Sequence, residues 1–412
     1  MRRSSPVDID HGPGIVRKSV AALLLAGTLA ITILRAVRLP NEFSKAHWLI
    51  DYRFGLVKRG LVGSLVAIST AALRAPVSDG LINGLASLQF AVFCVVLFCL
   101  GLRLMRLARW STPMLLANLA FLSSPFVVMS AHLVGYFDNI VVVLAIASIL
   151  LLLRGRTWFA VALQTVAIFV HENSLLLGVP SFWLAWLLVR RRSSRAGQPA
   201  LAVWPLLVPL AAFLAIALSQ SLASRHLERS LMTHVSSFPF IQASIPRTRV
   251  PHWITITLFD SYMLHRGLVA DRLLSTSMLG LILPSTMALL SQTYESHDIG
   301  ALGWESAAIL GVCLVPQSIH ILAWDTTRTW TYSILVAFLV LWIYTETDDR
   351  PILRTTFGPL MCLVALGLNA VLLTPLMDGL TDQLSLETRL VLYLPIVVAA
   401  LTQAFASKTY RL

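Results

Sequence analysis

The sequence has few charged side chains. Only 13% of its 412 residues are Asp, Glu, Lys or Arg, whereas a soluble domain has about 25%. In contrast, 57% of the residues are hydrophobic, and the mean hydropathy is +0.77. Apolar runs of roughly 20 residues, the length that crosses a bilayer, recur along the chain. This composition excludes an ordinary soluble protein and predicts an all-α, polytopic helical membrane protein.

Motifs for nucleotide, nucleic-acid or metal binding are missing from the sequence. It has no P-loop, zinc-finger or H-x-x-x-H spacing, and its dispersed histidines are better explained as structural residues. All of its cysteines lie in apolar segments, where they read as small core residues: Cys94, Cys99, Cys313 and Cys362. We therefore expect no nucleic-acid partner. No cofactor is indicated, and a divalent metal ion stays an open alternative.

The net charge of +12 comes from short basic runs beside apolar segments. This pattern is typical of the positive-inside rule, so the partner it indicates is the lipid bilayer. Residues 1–18 are basic and are expected to form a cytoplasmic tail. No A-x-A site follows the first apolar run, so we expect a retained membrane span there and not a cleaved signal peptide.

Basic clusters at residues 103–109, 154–156 and 190–195 fix the predicted topology. We predict about twelve transmembrane helices, with interfacial helices in the external loops, one of them at Leu61–Leu73. The cytoplasmic loop Tyr294–Glu305 lacks Lys and Arg and is the weakest point of this assignment. The predicted spans lie at about 19–37, 84–104, 112–133, 138–153, 157–189 (two arms), 201–219, 273–292, 306–324, 330–345, 355–376 and 390–406.

The predicted division of the chain follows from these spans. The tail precedes a membrane module at 19–220, which contains the first external loop at 38–83. A long external loop at 220–267 separates this module from the C-terminal transmembrane helices at 268–412.

Residues 157–189 are too long for one span, because a single helix would extend about 50 Å. Basic clusters at both ends predict a hairpin with His171-Glu172-Asn173 at its tip. Each arm is shorter than a full crossing, so the tip is expected below the outer surface. Charged groups at that depth require a water-filled or protein-lined cavity.

Polar residues from four parts of the sequence fall on the same, outer side of this topology. The first external loop contains the stretch Trp48-Leu-Ile-Asp-Tyr-Arg-Phe-Gly-Leu-Val-Lys-Arg-Gly60. The other parts are Asp138, the His171-Glu172 pair, and Asp325 with Arg328. We predict a site at which Asp51 is a general base, with Asp138 or Glu172 as the second carboxylate. Cations would hold a lipid-linked phosphate, with Tyr52 and Asp325 in support: Arg53, Lys58, Arg59 and Arg328.

Each of these features also has a structural alternative. Asp51 and its cationic neighbours are also consistent with a solvated, self-neutralising loop. Asp138 is also explained as the N-cap of the fourth span. His171 and Glu172 are also consistent with a satisfied polar turn, and Asp325 with Arg328 with an i,i+3 helix pair.

Two stretches resemble the GT-C superfamily of integral-membrane glycosyltransferases. One is Asp51 in a loop followed by an interfacial helix. The other runs from Gly135-Tyr-Phe-Asp138 through the fourth span to Arg154-Gly-Arg156, followed by a short apolar hairpin. It is similar to the "small residue–x–x–Asp, span, basic turn" passage of polyprenyl-phosphate mannosyltransferase relatives. The likeness covers residues 15–220, and the chain departs from it at His171-Glu172, where relatives often have a lysine.

This resemblance implies a glycosyltransferase of a bacterial inner or plasma membrane. It would transfer sugar from a polyprenyl-(pyro)phosphate-linked donor to an extracytoplasmic glycan or lipid acceptor. The segment Asp325-Thr-Thr-Arg328 also resembles bacterial polysaccharide polymerase-like membrane proteins, so a polymerase or ligase of lipid-linked glycans is an alternative. A secondary transporter or flippase is a further alternative from another class.

Overall fold

The computed structural model describes residues 15–195, 202–222, 225–297, 299, 303–322, 326–347 and 356–409. Its helices, in chain order, are α1 Ile15–Leu34, α2 Glu42–His47, α3 Gly60–Ala72, α4 Asp79–Leu107, α5 Thr112–Leu122, α6 Pro125–His132, α7 Asp138–Leu153, α8 Thr157–Val170, α9 Ser174–Leu177, α10 Val179–Arg195, α11 Leu207–Ser221, α12 Arg225–Ser236, α13 Ser244–Thr255, α14 Leu258–His265, α15 Val269–Leu273, α16 Thr276–His297, α17 Trp304–Leu314, α18 Thr326–Thr347, α19 Phe357–Val371 and α20 Leu386–Thr409.

The predicted all-α fold is confirmed, since the described part of the chain contains helices and no strand beyond one isolated bridge. Within the described ranges, six helices are long and apolar enough to cross a membrane, or seven if a bent pair at 258–297 counts as one span. Four shorter apolar helices, α3, α7, α8 and α19, accompany them. These apolar helices support the prediction of a helical membrane protein. The count of twelve spans stays a prediction.

Two of the long apolar segments form the centre of the bundle. The segment formed by α5 and α6 is buried on all sides, and α18 is buried over nearly all of its length. The rings of Phe121 and Phe338 stack between them, with centroids 3.7 Å apart. Pro125, which has no N–H to donate, stands at the first turn of α6, where a helix tolerates it.

Contacts between helix termini define two ends of this bundle. At the end that carries the basic clusters, residues from distant parts of the chain meet: Arg17 with Thr112 (3.2 Å), Arg103 with Glu346 (2.9 Å) and Arg191 with Glu305. We call this the basic end. The Arg191–Glu305 contact joins the loop without Lys or Arg to a predicted cytoplasmic cluster. Helix α18 has 22 residues, so it extends about 33 Å from this end to the opposite one.

At the opposite end, two loop regions far apart in sequence share a small hydrophobic core. We call α2, α12 and α13 together the helical cap. The core residues come from residues 46–57 and 231–254: Ala46, Leu49, Ile50, Val57, Leu231, Val235, Ile241, Val250 and Ile254. Backbone N–H groups of Gln242 and Ala243 donate to the Glu42 carboxylate at 2.7 and 2.8 Å, which fixes the cap further.

One predicted span differs from the structure. The sequence indicates an apolar run at 306–324, but α17 ends at Leu314 and a 3-10 segment, Val315–Ile321, follows. Pro316 has no N–H and cannot donate a helical hydrogen bond. The polar side chains after it form hydrogen bonds instead. Gln317 donates to Ser333 of α18 at 2.6 Å, and a ring nitrogen of His320 contacts Gln317 at 3.1 Å. This run is therefore a broken helix packed against the central helix.

Candidate active site

The turn at residues 48–60 is held against the start of α3. Trp48 donates its indole N–H to the carbonyl of Gly135 at 2.7 Å, and the backbone N–H of Tyr52 donates to Ser64 at 2.9 Å. A methyl group at Gly63 would overlap the backbone of Ile50, so only glycine allows this approach. The turn is therefore packed in place and does not form a freely solvated loop.

Arg59 connects three elements of the site. Its guanidinium donates to both carboxylate oxygens of Glu172, at 3.2 and 2.7 Å, and to Nε2 of His47 at 2.9 Å. Its backbone has φ of 60°, in the left-handed region that costs a non-glycine residue of order 1–3 kcal/mol. The bonds to α2 and to the hairpin tip stabilise this conformation.

His47 is a residue of the candidate site that the sequence analysis missed. Its Nδ1 lies 2.9 Å from the carbonyl of Phe43, so Nδ1 carries the proton and Nε2 is free to accept from Arg59. Burial, and then the charge of Arg59, lower the pKa of His47 to about 3. The ring is thus neutral and acts as an acceptor. A lone histidine in a short helix gives no sequence signal for this role.

The hairpin predicted at 157–189 is present. Ser174, just after the tip, accepts from Gln164 of α8 at 3.0 Å, and a methyl group at Gly178 would also meet Gln164. The chain therefore doubles back at the tip. The backbone N–H of Asn173 donates to Nδ1 of His171 at 3.1 Å, and the same nitrogen lies 3.3 Å from a carboxylate oxygen of Glu172.

Asp138 is the first residue of α7 and is buried against α18. Arg328 donates to it at 3.3 Å, and the hydroxyl of Tyr332 donates to its other oxygen. Tyr332 was missed, although its position four residues after Arg328 places both on one helix face. Asp325 lies outside the described residues, so its predicted pairing with Arg328 stays a prediction.

Lys58 is a buried lysine at the edge of this cluster, with 7% of its surface exposed. Its ammonium donates to the carbonyl of Ile256, which follows α13, at 2.8 Å. Within the described part of the chain this is its one hydrogen bond, while an ammonium has three donors. Burial lowers the pKa of Lys58 to about 8, although attraction to Glu172 opposes the shift.

Asp51 forms a separate pair. Its carboxylate, 2% exposed, accepts two parallel hydrogen bonds from Arg53, at 2.9 and 2.7 Å, while the Arg53 side chain is 66% exposed. Burial raises the pKa of Asp51, but the bonds from Arg53 outweigh it and hold that pKa below its ordinary value. His234 of α12 is the other titratable neighbour of Asp51, and burial lowers the pKa of its ring. The structure thus brings Asp138, Glu172 and their cations together and places Asp51 in a separate pair with Arg53.

The site contains two ion pairs, Arg59 with Glu172 and Arg328 with Asp138. Among the described residues, no group of three His, Cys, Asp or Glu side chains could hold a metal ion. Both clustered carboxylates are held by arginines, and Lys58 adds a third cation. We call these residues the charge cluster: Lys58, Arg59, Asp138, His171, Glu172, Arg328 and Tyr332. Two arginines and a lysine with spare donors suit an anion such as a phosphate.

Comparison of the chain with known protein-family models, with curated proteins and with solved structures finds no match.

Proposed function

We propose that this protein is a membrane glycosyltransferase that uses a polyprenyl-(pyro)phosphate-linked sugar. The observation that carries the proposal is the charge cluster itself. Three cations and two carboxylates, drawn from four distant parts of the chain, lie together at one end of a helical membrane bundle; Lys58, Asp138 and Arg328 are buried, and Arg59 and Glu172 are half-buried. A buried ion pair alone adds little stability, so a cluster of this size is better explained by a charged ligand. The predicted location is the outer face of a bacterial plasma membrane.

In this proposal the donor phosphate binds at the charge cluster. Lys58 supplies its spare donors, and Arg59 and Arg328 share theirs with the carboxylates that hold them. The sugar carbon then forms a bond to the acceptor oxygen while its bond to the phosphate oxygen breaks. The electron pair leaves with the polyprenyl phosphate, whose developing charge these cations stabilise.

The acceptor hydroxyl gives its proton to a carboxylate, for which Asp51 is the proposed base. Paired with Arg53, Asp51 is a weak base, because its pKa is held low. The Arg53 guanidinium is mostly exposed and can move to the incoming phosphate. This movement would release Asp51 and raise the pKa of its carboxyl when the acceptor is bound.

A secondary transporter or flippase of lipid-linked glycans is a second candidate. The broken helix formed by α17 and the segment Val315–Ile321 is the observation that favours it, because transporters often build their sites on discontinuous helices. A polymerase or ligase of lipid-linked glycans would use the same chemistry as the main proposal on a larger donor.

The test is binding of polyprenyl phosphate, the part that all such donors share, to the purified protein in nanodiscs. We expect it to bind at least about tenfold more tightly than the uncharged polyprenol, and Lys58→Gln to remove most of that difference. Lys45→Gln is the matched control, because Lys45 pairs with Asp79 outside the cluster at 2.7 Å. Equal binding of phosphate and alcohol would overturn the proposal.

Measurements of turnover then distinguish sugar transfer from transport of the intact lipid-linked donor. Sugar transfer from lipid-linked donors should release polyprenyl phosphate and be lost in Asp51→Asn by about 10²–10⁴-fold. Movement of an intact lipid-linked donor across a proteoliposome membrane, without release of polyprenyl phosphate, would favour the transporter instead.

A further inference from the structure

A cleft lies between the turn at residues 48–60, the end of α11 and the helical cap. Its volume is about 170 Å³, and its walls come from four segments of the chain: the turn, the end of α11, the start of α12 and the end of α13. No charged side chain of the described residues lines it. Most of its lining is apolar, from Phe54, Leu56, Val57, Leu227 and Ile254. We call this space the apolar cleft.

Hydrogen bonds and packing fix the walls of the apolar cleft. Gln220 donates its side-chain amide to the carbonyl of Ile254 at 2.8 Å, which joins α11 to α13. Leu56 packs on a small core that includes Ile216 of α11, and Val57 belongs to the core of the helical cap. The cleft is therefore built into the fold at the place where the turn, α11 and the cap meet.

The size and the lining of the apolar cleft suit a short hydrocarbon group. An engineered cavity of about 150 Å³ lined by Leu, Ile and Phe binds benzene. The apolar cleft has a similar volume, so it has room for a branched group of about five carbon atoms, the size of one isoprene unit. Such a group gains free energy by leaving water for an apolar environment.

The apolar cleft adjoins the charge cluster at Lys58. Val57 lines the cleft on the turn, and Lys58 is the next residue of the chain. Ile254 and Thr255 line it at the end of α13, and the next residue, Ile256, accepts the hydrogen bond from the Lys58 ammonium at 2.8 Å. This bond therefore joins two walls of the cleft at its edge. A phosphate bound by the spare donors of Lys58 would have its substituent beside the cleft.

The end of α11 places the apolar cleft at the boundary of the bilayer. This helix belongs to the candidate membrane span Trp204–Ser221, on which Leu214 and Leu218 are 50% and 64% exposed. In a bilayer these side chains contact lipid. Ser219 and Gln220, at the end of the same span, line the cleft. A lipid chain that lies along α11 can therefore enter the cleft from the membrane.

We infer that the apolar cleft binds the isoprene unit next to the phosphate of the lipid-linked donor, while the rest of the chain lies along α11 in the bilayer. The inference rests on the proposed function and adds a second element of donor recognition to it. Lys58 binds the phosphate, and the cleft binds the first unit of the chain attached to that phosphate. A phosphate without a hydrocarbon chain lacks the group that fills the cleft and is bound more weakly.

The experiment compares two small, water-soluble phosphates that differ only in their substituent. Dimethylallyl phosphate carries one isoprene unit, and methyl phosphate carries a single carbon atom. Phosphorus NMR titrations of the purified full-length protein in nanodiscs measure both dissociation constants. We expect dimethylallyl phosphate to bind at least about tenfold more tightly, because about four more carbon atoms are buried in the cleft.

The same titrations with Lys58→Gln distinguish failure of the cleft from failure of the charge cluster. We expect this variant to bind both phosphates more weakly. Equal binding of the two phosphates that still depends on Lys58 would overturn the inference and leave the proposed phosphate site intact. Binding of neither phosphate, or binding that Lys58→Gln does not weaken, would overturn the inference together with the proposed function.

Variants that fill the apolar cleft locate the bound isoprene unit. Ser219→Phe places a ring in the cleft and should abolish the advantage of dimethylallyl phosphate, while binding of methyl phosphate stays unchanged. Ser221→Phe is the matched control, because Ser221 is exposed at the end of the same helix and does not line the cleft. Leu227→Trp, which fills the cleft from α12, repeats the test independently of α11. Equal effects of the two phenylalanine variants, or an unchanged advantage in Leu227→Trp, would contradict binding in the cleft.

Discussion

Arg328 and Asp138 are separated by 190 residues in sequence and form a pair in which both side chains are at least nine-tenths buried. A buried pair contributes little net stability, because both ions lose their hydration. Removing one member is a different matter, since the other charge then stays buried without compensation. The pair therefore has a measurable signature in mutational coupling.

We predict that Asp138→Asn and Arg328→Gln each lower the free energy of unfolding by about 3–5 kcal/mol. The double variant should lose clearly less than the sum of both changes, with a coupling above that of an exposed pair, about 1–3 kcal/mol. Thermal unfolding in detergent measures this. The control cycle uses Lys45→Gln and Asp79→Asn, a pair with a 47% exposed carboxylate, for which coupling within about 0–1 kcal/mol is expected. Strictly additive losses at Asp138 and Arg328 would contradict the buried pair.

The ammonium of Lys58 leads to a prediction about pH. Its pKa of about 8 means that it is charged below that value and largely neutral above it. We therefore expect affinity for polyprenyl phosphate to fall as the pH rises through about 8, with a higher midpoint in the complex because a bound anion favours the charged form. Lys58→Arg stays charged and should not show this fall. Dissociation constants between about pH 6.5 and 9.5 test it, and parallel profiles for both proteins would rule out Lys58 as the phosphate ligand.

Sequence reasoning at this scale found carboxylates and cations by their rarity in an apolar chain. Asp138, Glu172, Arg59 and Arg328 stand out for that reason, and the structure brings them together. It did not find His47 or Tyr332, whose types are common and whose roles depend on contacts with residues far away in sequence. Nor does sequence spacing reveal that Asp51 pairs with Arg53 and stays outside the charge cluster.

At the scale of elements, the lengths of apolar runs in the sequence predicted the bounds of two helices well. The predicted span at 138–153 coincides with α7, and the predicted short helix at Leu61–Leu73 corresponds to α3 at Gly60–Ala72. The broken helix at α17 was missed, because the run is apolar on average although it contains Pro316, Gln317 and His320. The break depends on Pro316 and on hydrogen bonds to α18, which only the packed structure provides.

The close approach of α3 to the turn at 48–60 yields a prediction about glycine. A methyl group at Gly63 would collide with backbone atoms of Ile50, which cannot yield as a flexible side chain could. We predict that Gly63→Ala lowers the thermal stability and abolishes polyprenyl phosphate binding, because it displaces Arg59 and Asp51 together. Gly84→Ala is the control, since Gly84 lies within α4 with open space around it. That change should be neutral or stabilising by up to about 1 kcal/mol. Equal tolerance at both positions would show that the turn does not pack on α3.

On the scale of the whole molecule, a buried network of hydrogen bonds connects the end of α1 with α19 and α20. Arg35, after α1, donates to both oxygens of Asp382 at 2.9 and 2.6 Å and to the carbonyls of Asn369 and Leu372. Arg389 of α20 donates to the same Leu372 carbonyl at 2.7 Å. These carbonyls lie at the end of α19, where guanidinium groups are favourable. The network thus completes the bundle at the end that carries the charge cluster.

The two ends of the bundle lead to a prediction about membrane orientation. Contacts unite basic clusters at one end, and the positive-inside rule assigns that end to the cytoplasm. The charge cluster lies at the opposite end of α18, so it should face outward. Single cysteines at Ser244 in the helical cap and Ser194 at the end of α10 test this, because both positions are exposed. Cys94 and Cys99 are first replaced by alanine, since neither is fully buried.

An impermeant thiol reagent should label Ser244→Cys in intact cells and Ser194→Cys only after permeabilisation. Cys313 and Cys362 are buried and serve as the unlabelled background. The reverse pattern would place the residues of the charge cluster on the cytoplasmic side. Lipid-linked donors and acceptors of the outer face could not then reach them, and the proposed transfer reaction would fail with the topology.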